Sequence, residues 1–385
     1  MQSNIVISGI GIISGMGNDM DEIWESVSHD NDTSIRVRIP DLYKSNVKRR
    51  MNRFSYMSLV TAAKALKNSH IDIEKKDYDF EKIGTIFNSG YGPIESNFNF
   101  ARKLINSGPE FVSPIVFAGT VSNSNVGHVC MNLGLKGPST SFMGSNAIGY
   151  AYDLLRNGVA DAIIAGGMEQ YDETIIKVYS KMDYVSKISD SKYLAKPYDV
   201  DSDGITLAEG ATLLFLENEQ RALERGNHVS IEIVGYAGAF SAELPERSLL
   251  KVDENPYFMS MKEALRITGV EADEIDFIYS AATGAKGGDL AELRAINQLF
   301  DGAIPITTQI GKFGYVYGAN STTAVALAAM MLQKNEILPI YGLINVDLEA
   351  KGNLVRKSVK SNLTYALINS IEMGGNISSV IIRKY

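Results

Sequence analysis

Residues 137–169 read GPSTSFMGSNAIGYAYDLLRNGVADAIIAGGME, and the fold is decided here. A short β-type run at 139–143 meets Gly144-Ser145-Asn146, and a helix with small residues on one face starts at Ala147. Gly158 stands just past that helix, and an apolar, buried-type strand at 162–165 runs into Gly166-Gly167. The side chain at 146 falls in the first helical turn, where free N–H groups and the positive end of the dipole favour negative charge. That setting suits an activated thiol, because a helix N-terminus lowers a cysteine pKa. The position holds the amide of Asn146 instead. Asn also caps helices well, so the residue fits a plain cap and an emptied reactive position equally. Ser145 has no neighbouring histidine to activate its hydroxyl and reads as structural.

Working outward, the same plan recurs. Residues 4–14 form an apolar, Gly-punctuated run of strand character, and residues 228–240 form a second one, each followed by helical signals. The helix after Asn146 leads to the strand at 162–165, and Asn320 opens an Ala- and Met-rich helix at 322–333 that leads to Ile337-Leu338-Pro339. A duplicated βαβ plan predicts a mixed α/β molecule in two related halves. The charged segment 218–227, ending Arg225-Gly226-Asn227, is the natural seam, and there is no low-complexity linker.

Composition bounds the function. A chain of 385 residues with 45% hydrophobic and 21% charged residues has ample material for a large core, and length alone suggests two or three domains. A net charge of −8 argues against nucleic acid as a main partner. No apolar run reaches the about 20 residues that span a bilayer, and no basic segment precedes the first strand. One cysteine excludes an internal disulfide and fits a reducing, cytoplasmic setting. That residue, Cys130, reads as a small core side chain near a helix end.

Ordered motifs along nearly the whole chain resemble those of the β-ketoacyl-acyl carrier protein synthases, members of the thiolase-like group. Residues 137–169 resemble that family's nucleophile turn, and residues 4–17, NIVISGIGIISGMG, its opening strand and loop. Lys196-Pro197-Tyr198-Asp199, Asp203-Gly204 and Ala208-Glu209-Gly210-Ala211 resemble its "RPFDxxRDGFVxGEGA" segment. Residues 369–375, NSIEMGG, resemble its "NSFGFGG" loop. The resemblance implies an α/β, thiolase-like fold of two pseudo-symmetric halves in a five-layered αβαβα arrangement, with halves at 1–225 and 226–385.

The departures fall on the catalytic groups. The family's nucleophilic cysteine corresponds to Asn146. The histidine of "NAHGTSTPxGDxxE" corresponds to Ala281, with Asp289 and Glu292 retained, and the histidine of "KxxxGHxxGAAG" to Tyr315, with its lysine replaced at Gln309. Condensation needs a thiolate to carry the acyl chain and imidazole donors to stabilise the enolate oxyanion. An amide, a methyl group and a phenol supply neither, and the four histidines, His29, His70, His128 and His228, lie outside these motifs. His128 matches a family position on an interface helix and reads as structural.

The implied function is therefore a catalytically silent ketosynthase-like subunit. It resembles the chain-length factor, or β subunit, of a type II polyketide or aryl-polyene system. Such a subunit pairs with an active β-ketoacyl synthase as a heterodimer or heterotetramer and shapes the cavity for elongation. Known chain-length factors carry Gln at the nucleophile position, so Asn146 suggests a divergent, polyene-type branch. Phe111, Ile115, Phe117 and Val121 become tunnel or interface candidates, joined by Tyr317 and Met373. Tyr315 and Tyr317 are bulky enough to plug the reaction space. Glu372-Met373 departs from the family's Gly-Phe gate, with Glu372 read first as a solvated loop charge. Lys48, Arg49, Arg50 and Arg53 are candidates for docking an acidic acyl carrier protein and its phosphopantetheine-bound chain, against the simpler reading of a solvated helix start. No cofactor, metal, nucleic acid or membrane is expected. The alternatives are an autonomous malonyl-ACP decarboxylase or atypical acyltransferase, and a homodimeric carrier-binding scaffold.

Overall fold

The computed structural model describes residues 4–73, 75, 78–144, 147–182, 184–186, 192–241 and 253–385. The first half contributes strands β1 (Ile5–Ile13), β2 (Ile83–Asn88), β3 (Ser139–Phe142), β4 (Ala162–Glu169) and β5 (Gly210–Asn218). The second contributes β6 (Ile231–Phe240), β7 (Phe277–Tyr279), β8 (Pro305–Thr307), the short β9 (Glu336–Ile337), β10 (Asn353–Leu354) and β11 (Val359–Lys360), then β12 (Tyr365–Ile371) and β13 (Asn376–Lys384). Spatially the first half runs β3-β2-β4-β5-β1 and the second β8-β7-β12-β13-β6, with β10 added beyond β8. Each half thus places its own third, second, fourth, fifth and first principal strand side by side.

Strand directions repeat as well. β3, β2 and β4 are parallel, with β5 and β1 antiparallel after them; β8, β7 and β12 are parallel, with β13 and β6 antiparallel. The two sheets join edge to edge where Ile5 faces Ile233 and Val6 faces Glu232. The proposed seam at residues 225 and 226 lies in the turn that leads from the helix Glu219–Glu224 to β6.

Helices make the remaining layers. Arg53–Asn68 and Ser124–Leu133 cover the outer face of the first sheet, and Glu254–Thr268 with Lys286–Phe300 cover that of the second. Between the sheets lie Ala147–Arg156 and Asn320–Lys334. Every residue from Ser321 to Leu332 is buried, as a helix apolar on all sides requires. Close approach is made possible by small residues: a Cβ on Gly149 would sit 2.3 Å from the Tyr236 ring on β6. This is the thiolase-like, five-layered α/β arrangement expected from the sequence.

β4 extends further than the apolar run suggested, passing through Gly166-Gly167 to Glu169 with every position buried. Parallel strands covered on both faces read as continuous apolar runs, so the glycines hid its last turn. Among the described residues, no helix is long and apolar enough to cross a membrane.

Candidate functional site

The loop after β7 is set by the helix that follows it. Glu292 accepts hydrogen bonds from the Ala281 amide (2.9 Å), the Ser280 hydroxyl (2.7 Å) and Asn369 Nδ2 (2.9 Å). Asp289, three residues earlier on the same helix, accepts from the Thr283 and Gly284 amides at 2.8 and 3.0 Å. Burial pushes both carboxyls up, Asp289 to about 7, against the pull of those amide bonds. The loop is held firmly, but residue 281 offers only a buried methyl group.

The second motif carries a large side chain instead of a small one. Helix Ile310–Phe313 ends at Gly314, whose φ of +64° turns the chain so that Tyr315 points inward. Tyr315 is fully buried, and its hydroxyl donates to the Ile371 carbonyl at 3.0 Å. Its ring stacks on Tyr317 (centroids 5.9 Å apart, 29°), whose hydroxyl donates to the Met373 carbonyl at 3.1 Å. Tyr91 meets Tyr317 edge-on at 5.5 Å, and Tyr179 and Tyr184 extend the file of rings outward. Gly90 makes room, because a Cβ there would lie 1.8 Å from the Tyr317 ring.

Two small cavities are bounded by the described residues. One cavity of about 20 Å³ is bounded by Ser280, Ala282, Gly314, Asn320 and Asn369, and another of about 10 Å³ by Tyr91, Glu169, Leu207, Tyr315 and Tyr317. Each has room for about one water. None of the four histidines lines either cavity. Gln309, just before helix Ile310–Phe313, is buried, and its amide donates to the Thr307 hydroxyl and the Pro339 carbonyl. Counted back five residues from Tyr315, the motif's lysine position is Ile310 rather than Gln309, and Ile310 is buried too.

Asn146 and Ser145 lie outside the described residues. Their flanks form a strand, a left-handed Gly144 (φ +114°) and a helix from Ala147, as the sequence predicts for such a turn.

Several expectations need correction. Glu372 is not a solvated loop charge: it is 1% exposed beside the tyrosines. Met373 packs on the core, with its sulfur 3.7 Å from the Tyr91 hydroxyl. The four cations do not form one patch. Arg53 forks onto Glu209 through Nε (2.7 Å) and Nη2 (2.6 Å) and also donates to the Val37 carbonyl, which makes it a brace. Lys48 is paired with Asp41. Arg49 and Arg50 are exposed and make no ion pair among the described residues.

Phe111, Ile115, Phe117 and Val121 line neither internal cavity; all four are exposed. They belong to a surface stretch that includes helix Ile94–Ser107 and the short helix Pro114–Ala118, neither of which buries a single residue. Ile115 and Val116, with His128 and Met131, line an open groove of about 860 Å³ whose rim carries Arg49 and Arg50. Among the described residues β3 ends the sheet, paired with β2. Cys130 is half-buried, and burial raises its thiol pKa, as fits a packing role.

Two residues escaped the sequence reading. Glu169 accepts from the amides of Gly90 (2.6 Å), Tyr91 (3.2 Å) and Gly318 (3.3 Å), fixing the seat of the tyrosines. Tyr91 was signalled only by the glycines on either side of it.

Two family models match this chain: the N-terminal domain of β-ketoacyl synthase over residues 40–222 and the C-terminal domain over residues 232–343. A 3-oxoacyl-[acyl-carrier-protein] synthase 2 of Staphylococcus aureus (strain COL) is 28% identical over 99% of this chain and 98% of that protein. The ishigamide ketosynthase/chain length factor superposes with a TM-score of 0.89 at 20% identity, covering all of both chains. A type II PKS acyl-carrier protein in complex with its ketosynthase contains a chain that superposes at 0.87 and 18% identity, again with full coverage of both.

Proposed function

We propose, from the premise that this chain belongs to the β-ketoacyl synthase family, that it is a catalytically silent subunit of the chain-length-factor kind. It pairs with an active β-ketoacyl synthase and shapes the space in which a polyketide or aryl-polyene chain grows. The observation that carries this reading is the fully buried Tyr315, which occupies the family's histidine position and is tied to Ile371. Ala281 adds no donor at the other histidine position, so the two imidazoles that would stabilise an enolate oxyanion are both absent.

The surface supports the partnership. Apolar side chains clustered on elements that bury nothing need a protein partner to leave water. Arg49 and Arg50, the free cations on the groove rim, suit an acidic acyl carrier protein arriving at the assembled pair.

A second reading, an autonomous enzyme of altered chemistry, draws on the Staphylococcus aureus relative, whose name is that of a synthase. One experiment separates the two. The chain is purified alone and with a co-expressed ketosynthase, and both samples are weighed intact and assayed with malonyl-ACP. The silent-subunit reading expects a 1:1 complex and no turnover by the chain alone. Turnover by the lone chain, or a homodimer that ignores the ketosynthase, overturns it.

A further inference from the structure

The turn between β12 and β13 has the build of a moving part. Gly374 and Gly375 adopt φ of +105° and +87°, backbone that other residues rarely take, and a Cβ on Gly374 would meet nothing within 4 Å. Within the turn, the Glu372 amide donates to the Asn376 carbonyl (2.9 Å) and the Gly375 amide to the Glu372 carbonyl (3.1 Å). The Ser241 amide, just past β6, also donates to the Gly375 carbonyl (2.9 Å), and a short glycine hairpin held by so few backbone bonds opens more readily than the strands it joins.

Three tyrosines from two other segments converge on it. Tyr315 donates to the carbonyl of Ile371, Tyr317 to that of Met373, and the Tyr91 hydroxyl faces the Met373 sulfur. Tyr315 and Tyr317 are two residues apart on one strip of chain that Gly314 and Gly318 anchor, so their stacked rings act together. The Gly318 amide is held in turn by Glu169, which also holds Gly90 and Tyr91. Besides its backbone bond to Ser241, the turn is therefore fastened through one aromatic stack to β4 and to the loop after β2 in the opposite half.

We propose that Tyr315 and Tyr317 are a latch that holds the 372–375 turn shut over the vestigial centre. The latch rests on this geometry alone. Its consequence rests on the silent-subunit reading: in the pair, an acyl-carrying arm enters only through the partner, because this subunit does not open.

The test is hydrogen exchange on the purified chain, comparing wild type with Tyr315→Phe/Tyr317→Phe. The double variant keeps both rings and loses both phenol donors. Exchange at the Glu372 and Gly375 amides should rise roughly tenfold or more, from two hydrogen bonds of ordinary net strength. Amides in β13 beyond Ile377 should stay as slow as before. No rise at the turn, or an equal rise along the whole of β12 and β13, overturns the latch. Weighing the same variant with the co-expressed ketosynthase reports pairing independently, so the latch and the silent-subunit reading can fail separately.

Discussion

Asn146, Ala281 and Tyr315 could be read from the chain alone as departures from the motifs it resembles, because each stands among neighbours those motifs share. What these side chains do instead could not be read, since it depends on partners far away in sequence. Tyr315 finds the carbonyl of Ile371, and Arg53, which looked like part of a local basic run, finds Glu209. Glu169 makes the same point and gives a measurable consequence. Burial holds its carboxyl up at about 7 against the ordinary 4.5. The folded chain therefore keeps a proton that the unfolded chain releases. Stability from this group is fully present below pH 4.5 and is lost as the pH rises through about 7, with no further change above. Urea midpoints of wild type and Glu169→Gln across that window should show a shallower decline in the variant, with Asp289, Glu292 and the other carboxyls that burial raises supplying the slope that remains. Parallel curves would mean that the carboxyl titrates alike in both states.

At the scale of elements, the segment that carries Phe111, Ile115, Phe117 and Val121 reads as tunnel or interface in sequence, and only the packing decides. Pro109 and Pro114 break it into pieces too short to form a buried helix, and the pieces lie on the surface. Ile115 is 85% exposed, so Ile115→Asp removes no packing from the isolated chain. Its stability should change by no more than about 0.5 kcal/mol, the usual range for surface substitutions. Pairing with the ketosynthase should weaken roughly tenfold or more, because a carboxylate placed at the centre of an apolar interface is buried without a partner. Urea denaturation and titration of the complex measure the two effects separately. Unchanged affinity would place the partner elsewhere on the molecule.

Across the whole molecule, the repeat of strand and helix runs was legible because both halves use the same βαβ plan. The joining of the halves was not. It depends on two residue pairs between β1 and β6, and on inner helices that serve both sheets. Asn320–Lys334 lies against β12 and β13 and also touches β4 and β5, while Ala147–Arg156 reaches β6. Cutting the chain at the proposed seam, between residues 225 and 226, would uncover the helix face from Ser321 to Leu332 that is wholly buried in the intact molecule. Exposed apolar surface on that scale favours aggregation over folding. Residues 1–225 and 226–385 expressed apart should therefore be insoluble or lack a cooperative melt. Co-expressed, they should assemble into one particle with the intact chain's circular dichroism. Separate halves that each melt cooperatively would show that each sheet completes its own core, and that the shared helices serve assembly rather than folding.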